Sequence, residues 1–139
     1  MKPNPIRWTL LAAALVLVLP ATGRAQDAEC VVAYVLDGDN FNCRNGRTVR
    51  LLGIDAPEGG RFGDASRRAL ATLLPVDARV RLEFDGERTD SEGRLRAYVF
   101  TNGRMVNQVM IRLGYAFFRP DPDHPRYAER LRAAEAEAK

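Results

Sequence analysis

The chain has a single histidine and two cysteines among its 139 residues. Three such side chains fall short of the four nitrogen or sulfur ligands of a closed tetrahedral zinc site, which argues against a zinc enzyme. Lysine is scarce as well: beyond residue 25 every basic residue is arginine except Lys139. An excess of positive charge is also missing once the sequence is divided. The formal net charge is +3, but Lys2, Arg7 and Arg24 lie in the first 25 residues, which hold no acidic residue. Taking those three from the 21 basic residues leaves 18 against 18 acidic ones, and the remainder is neutral. Any field that attracts a polyanion must therefore come from how the charges are arranged. The apolar run from Trp8 to Pro20 is shorter than the roughly 20 residues a membrane span requires. With a basic start before it and Gly23-Arg24-Ala25 after it, this run reads as a signal peptide cut after Ala25. The expectation is a secreted or periplasmic domain of residues 26–139, without stable membrane association after cleavage.

Export to an oxidising compartment permits a disulfide between Cys30 and Cys43. Closing that loop would stabilise the fold by about 3 kcal/mol on chain-entropy grounds. A regular hairpin turning at Asp37 to Asn40 nevertheless sets the two cysteines out of register, so the bond would need a bulge or a curl. On the sequence alone the pairing stays open.

Cys30 to Leu36 is apolar and valine-rich and runs into Asp37-Gly38, a hairpin turn signal, with Phe41 to Arg44 returning. A turn at Asn45-Gly46 leads to Thr48 to Ile54, so three strands form a meander. Asp55-Ala56-Pro57-Glu58-Gly59-Gly60 is a loop, because proline and paired glycines stop both strand and helix. Ala65, Ala69, Leu70, Leu73 and Leu74 recur at helical spacing within Gly63 to Leu74. Arg79 to Phe84 alternates as a half-buried strand does, and Leu95 to Phe100 is a fifth strand. Val106, Val109, Met110 and Leu113 predict a second helix capped at Gly114. Arg119 to Pro125 is irregular, with His124 read as a surface residue, and Tyr127 to Lys139 is a third helix. This order predicts an α+β domain with a small barrel and helices against it.

Three polar clusters interrupt these strands: Asp37-Gly38-Asp39-Asn40, Arg50 with Asp55-Ala56-Pro57-Glu58, and Asp90-Ser91-Glu92-Gly93-Arg94. Each alone is ordinary turn chemistry. An EF-hand starting at Asp37 fails, because Asn42 stands at the required glycine and Thr48 at the bidentate glutamate. Asp39 and Asp55, each at a strand end, could still hold a hard cation between separate strands.

Taken in order, the clusters resemble the staphylococcal nuclease (thermonuclease) family over nearly all of residues 26–139. The resemblance rests on Val35-Leu36-Asp37-Gly38-Asp39, on Val49-Arg50-Leu51-Leu52-Gly53-Ile54-Asp55-Ala56-Pro57-Glu58, and on Arg88-Thr89-Asp90 with Gly93-Arg94-Leu95-Arg96-Ala97-Tyr98. Val106-Asn107 and Leu113-Gly114-Tyr115-Ala116 extend it. It implies a five-stranded OB-fold β-barrel with three α-helices. It implies a monomeric calcium-dependent endonuclease that cuts DNA or RNA and leaves 3′-phosphate ends. Asp39, Asp55 and the backbone carbonyl of Ala56 would ligate Ca2+. Glu58 would act on the attacking water, and Arg50 and Arg94 would grip the phosphate, with Asp37, Asn40 and Asp90 in support. Asn40, Ala56, Ser91 and Glu92 depart from the residues usual at their positions, and Glu92 puts a carboxylate near incoming phosphates. Tyr115, Phe117 and Phe118 are candidates for stacking on bases. The alternative is a non-catalytic OB-fold module that binds single-stranded nucleic acid or a protein through the same groove.

Overall fold

The computed structural model describes Met1 and residues 27–138. The expected signal peptide and its cleavage site lie outside these residues, as does Lys139. Among the described residues no helix is long and apolar enough to cross a membrane.

The meander forms β1 (Ala28–Val35), β2 (Asn40–Cys43) and β3 (Thr48–Leu51). Later strands are β5 (Arg79–Glu83) and β6 (Leu95–Thr101), with a short β7 (Arg104–Met105) beyond. β1 pairs antiparallel with both β2 and β5, β5 pairs with β6, and a parallel β3–β6 pairing closes the ring. The result is a closed, mixed barrel of five strands with helices α1 (Gly60–Leu73), α2 (Val106–Arg112) and α3 (Ala128–Ala138). This is the α+β barrel that the element order predicts and the OB-fold that the family resemblance implies.

The barrel interior is filled by inward residues of alternating strands, among them Val32, Phe41, Val49, Leu51, Leu82 and Val99. α1 adds Leu70, and its C-cap adds Leu74, both buried. Each such burial is worth about 1.5 to 3 kcal/mol. α2 ends in a Schellman turn, with Tyr115 N–H donating to the Met110 carbonyl at 2.9 Å and Gly114 N–H to Ile111 at 2.8 Å. Buried Asn107 ties this helix to the barrel: its amide oxygen accepts Val99 N–H at 2.8 Å and its nitrogen donates to Leu52 O at 2.8 Å.

Cys30 and Cys43 are bonded, with Cα atoms 5.7 Å apart. Val32 opposes Cys43 and Tyr34 opposes Asn42, so Ala33 is the extra residue of a β-bulge. Without it Ala33 would oppose Cys43, and Cys30 would point outward, because a one-residue slip reverses every facing. The bulge restores the parity and turns both cysteines into the core.

The strand expected from Thr48 to Ile54 is broken. β3 stops at Leu51, and Gly53, at φ 73°, turns Ile54–Asp55 (β4) away to pair with Phe117–Phe118 (β8). That φ suits glycine, and a Cβ there would lie 2.5 Å from the Leu131 side chain of α3 and push its terminal methyl aside.

Candidate functional site

The site is assembled at the β1–β2 turn, where Gly38 is pressed against two other elements. A Cβ on Gly38 would stand 2.5 Å from Ala56 Cβ and 2.6 Å from Ser66 Cβ of α1. α1 approaches the next loop just as closely, because a Cβ on Gly63 would stand 2.9 Å from the Glu58 carbonyl carbon. Small residues thus bring hairpin tip, Asp55–Glu58 loop and helix into backbone contact. Ser66 Oγ donates to the Tyr115 carbonyl at 2.7 Å and locks the helix to the segment after α2.

That contact places Asp39 under the loop. Its Oδ2 accepts Ala56 N–H at 2.8 Å, and its Oδ1 accepts the Asn40 amide at 2.7 Å. Asp37 braces the turn by accepting Asp39 N–H at 3.0 Å and the same Asn40 amide at 2.9 Å. Arg50, opposite Asn40 in the β2–β3 ladder, spans the two acidic residues: one Nη lies 3.2 Å from Asp39 Oδ2 and the other 3.2 Å from Asp55 Oδ1. Its fork is oriented by the carbonyls of Leu51 and Ile54, at 2.9 and 3.0 Å. Arg94 is held by Asp90 through Nε at 2.7 Å and reaches Asn40 Oδ1 at 3.4 Å.

Burial pushes the Asp39 carboxyl up to about 6, against the opposing pull of Arg50 and of Ala56 N–H. For Asp37 burial acts in the same upward sense, but hydrogen bonds from Asp39 N–H and Asn40 outweigh it and the group lies below its ordinary value. Asp90 is likewise lowered, with burial overcome chiefly by the Arg94 hydrogen bond. Glu58 is exposed and makes no hydrogen bond or ion pair among the described residues. Its backbone is pinned by Gly63 while its carboxylate is left to solvent.

Residues 48–139 match the family described as staphylococcal nuclease homologue. The chain belongs to the staphylococcal nuclease family. It is similar to the endonuclease YncB of Bacillus subtilis, at 35% identity over 120 residues, 75% of this chain and 54% of that protein. It is similar to the thermonuclease of Staphylococcus hyicus, at 31% over 124 residues, 77% of this chain and 69% of that protein. The thermonuclease of Staphylococcus intermedius shares 32% over 118 residues, 78% of this chain and 70% of its own. The chain thus spans about half the length of YncB and rather more of the two thermonucleases. The family match begins at Thr48 and leaves out the hairpin with Asp37 and Asp39. It is the tertiary contact with Ala56 and Arg50 that brings those two residues to the family's own segment.

The donor set suits a hard ion. Two carboxylates from different strands converge on one guanidinium, and carboxylate oxygens are the ligands Ca2+ takes. Among the described residues no three His, Cys, Asp or Glu side chains form a ready metal cage. An ion held by Asp39, Asp55 and the Ala56 carbonyl would keep positions for water and substrate oxygens.

The aromatic candidates separate. Phe117 is exposed and faces the same side as Asp55, its register partner. Phe118, one residue on, turns inward opposite Ile54 and lies beneath Arg132, and Tyr115 packs on the core. His124 is a correction: it is buried, not on the surface. Its Nδ1 meets Asp121 at 2.9 Å, its Nε2 meets Arg96 at 2.8 Å, and its carbonyl accepts the Tyr98 hydroxyl. The proline-rich segment folds back over β6 and so buries the ring. Arg96, Arg119 and Asp121 join Arg50, Arg94 and Asp90 around a cleft of about 310 Å³. The sequence reading missed the first three. An arginine inside the otherwise apolar strand Leu95–Thr101 was the available signal for Arg96.

Proposed function

We propose that this chain is an exported, calcium-dependent nuclease that hydrolyses phosphodiester bonds of DNA or RNA internally and leaves 3′-phosphate ends. One observation carries the reading: Arg50 stands between the carboxylates of Asp39 and Asp55, with Arg94 linked to the same group through Asn40. In-line attack on a phosphodiester adds negative charge to oxygens that already repel the nucleophile, so cations must be in place beforehand. Calcium, when bound, supplies a Lewis acid for those oxygens. Arg50 and Arg94 present forks that match a phosphate bidentately, and each is oriented by the protein before substrate arrives. Asp39 and Asp55 would hold the ion, and Arg50, which they now engage, would then be free to grip the phosphate. Glu58, free of partners and close in sequence to the ion ligands, takes the proton of the attacking water. The exposed ring of Phe117 offers a stacking face beside Asp55. A buried disulfide suits an oxidising compartment, which supports export.

Single-stranded DNA, duplex DNA and RNA incubated with purified residues 26–139 should be cut in calcium and left intact in EGTA. Glu58→Gln should lose about 10² to 10⁴ in rate while calcium still raises its melting temperature. A Glu58→Gln chain as active as the parent would sink the mechanism. A parent that binds single strands and never cuts them would favour the OB-fold binding module.

A further inference from the structure

Two arginines of the cleft have no part in the mechanism above. Arg96 stands opposite Arg50 in the parallel β3–β6 ladder, and Asn40 stands opposite Arg50 on its other side. The three side chains therefore form one row on one face. Arg96 meets His124 at 2.8 Å and Asp121 at 3.9 Å, but its Nε is buried without a partner among the described residues. A buried charged donor left unpaired is costly and calls for an acceptor.

Arg119 comes from the facing wall. Its N–H donates to the Gly53 carbonyl at 2.9 Å, which continues the β4–β8 pairing beyond Phe118. Lying two residues past Phe117, it presents its side chain on the face that carries Asp55. That side chain is 67% exposed, and its one ion pair among the described residues is the 3.7 Å contact with Asp55. The cleft's own carboxylates are already engaged, Asp90 by Arg94 and Asp121 by His124. Unspent guanidinium donors thus remain on two walls of one cleft.

We propose that Arg96 and Arg119 form a second phosphate subsite, which takes the phosphate next along the strand from the one gripped by Arg50 and Arg94. The proposal rests on the nuclease reading and narrows its substrate to a strand with at least two successive phosphates. Arginine forks suit phosphate oxygens, and one oxygen of Asp55 lies 3.2 Å from Arg50 and 3.7 Å from Arg119. Those two groups are therefore no further apart than two such contacts, close enough for a single strand to touch both.

The test measures binding on the full chain carrying Glu58→Gln, which suppresses cutting, in calcium buffer. The ligands are a labelled single-stranded dodecamer and a dinucleoside monophosphate, titrated between about 50 and 200 mM salt. Adding Arg119→Ala should lower the slope of log affinity against log salt by about 0.7, one phosphate contact on a single strand. The dodecamer should bind several-fold more weakly, the dinucleoside monophosphate should be unaffected, and Arg119→Lys should restore the slope. Arg96→Gln should give the same slope change, and a melting curve shows whether that more buried variant is folded. An unchanged slope in Arg119→Ala overturns the subsite, and so does an equal loss for both ligands, which would mean that Arg119 acts through Asp55. If the Glu58→Gln chain binds neither ligand, the nuclease reading falls and the subsite with it. If it binds both and the slope does not move, only the subsite falls.

Discussion

Replacing Gly38 with alanine puts one methyl group where three elements meet. The new Cβ would stand 2.5 Å from Ala56 Cβ and 2.6 Å from Ser66 Cβ, whereas ordinary contact begins at 3.4 Å. The hairpin tip must retreat by roughly 0.9 Å, since both opposing atoms are bound directly to backbone and cannot swing aside. Overpacking of this kind costs about 1 to 3 kcal/mol. The retreat also lengthens the 2.8 Å bond from Ala56 N–H to Asp39 and pulls that carboxylate from Arg50. A misplacement near 1 Å can cost about 10² in rate. Calcium-dependent cleavage of a single-stranded oligonucleotide should therefore fall by about that factor, and a thermal melt should show the stability loss. Ala56→Gly removes one of the two clashing methyls, so in the Gly38→Ala background it should recover part of both losses, a coupling that independent sites would not show. Wild-type melting and wild-type cleavage in Gly38→Ala would refute the packing argument.

Other outcomes follow from the same structure. Asn107→Ala strands Val99 N–H and the Leu52 carbonyl, at about 1 to 3 kcal/mol for each buried group, and calorimetry should record a fall of about 5 °C or more. Reducing the Cys30–Cys43 bond removes about 3 kcal/mol, so the melting temperature in reductant should drop by about 10 °C or more, and an unchanged value would contradict the bracing role. Burial alone would raise Glu83, but hydrogen bonds from Arg81 and Tyr127 outweigh it and hold the carboxyl below its ordinary 4.5. A lowered group stabilises above its unfolded value and loses that contribution as pH falls through its folded one. Thermal melts below pH 4.5 should thus lose stability faster in the parent than in Glu83→Gln, and parallel curves would refute the linkage.

Much of this molecule was legible in the chain. The alternation of Arg79 to Phe84 and the spacing of Leu70 and Leu74 follow from which faces can be buried, and both depend on neighbours within a few residues. Arg50 and Asp55 sit in one short stretch, so their pairing was readable without a fold. Asp39 was readable only as a candidate, because nothing in the hairpin sequence states that Gly38 packs on Ala56. The aromatic triplet was ambiguous for a related reason: only the Asp55–Phe117 register shows which ring faces the site and which faces the core. His124 looked exposed because proline-rich segments are, and its burial depends on the segment folding back onto Arg96 of β6.

By itself the sequence determined the elements, their order and the local motifs, since backbone propensity and turn chemistry act over a few residues. Only the tertiary structure decided the parity of the Cys30–Cys43 pair, the diversion of the chain at Gly53, the parallel closure of β3 on β6 and the arginine row along the cleft. Each of these depends on the register between distant segments. A single bulged residue or one close approach reverses which side chains share a face, and no local pattern encodes that.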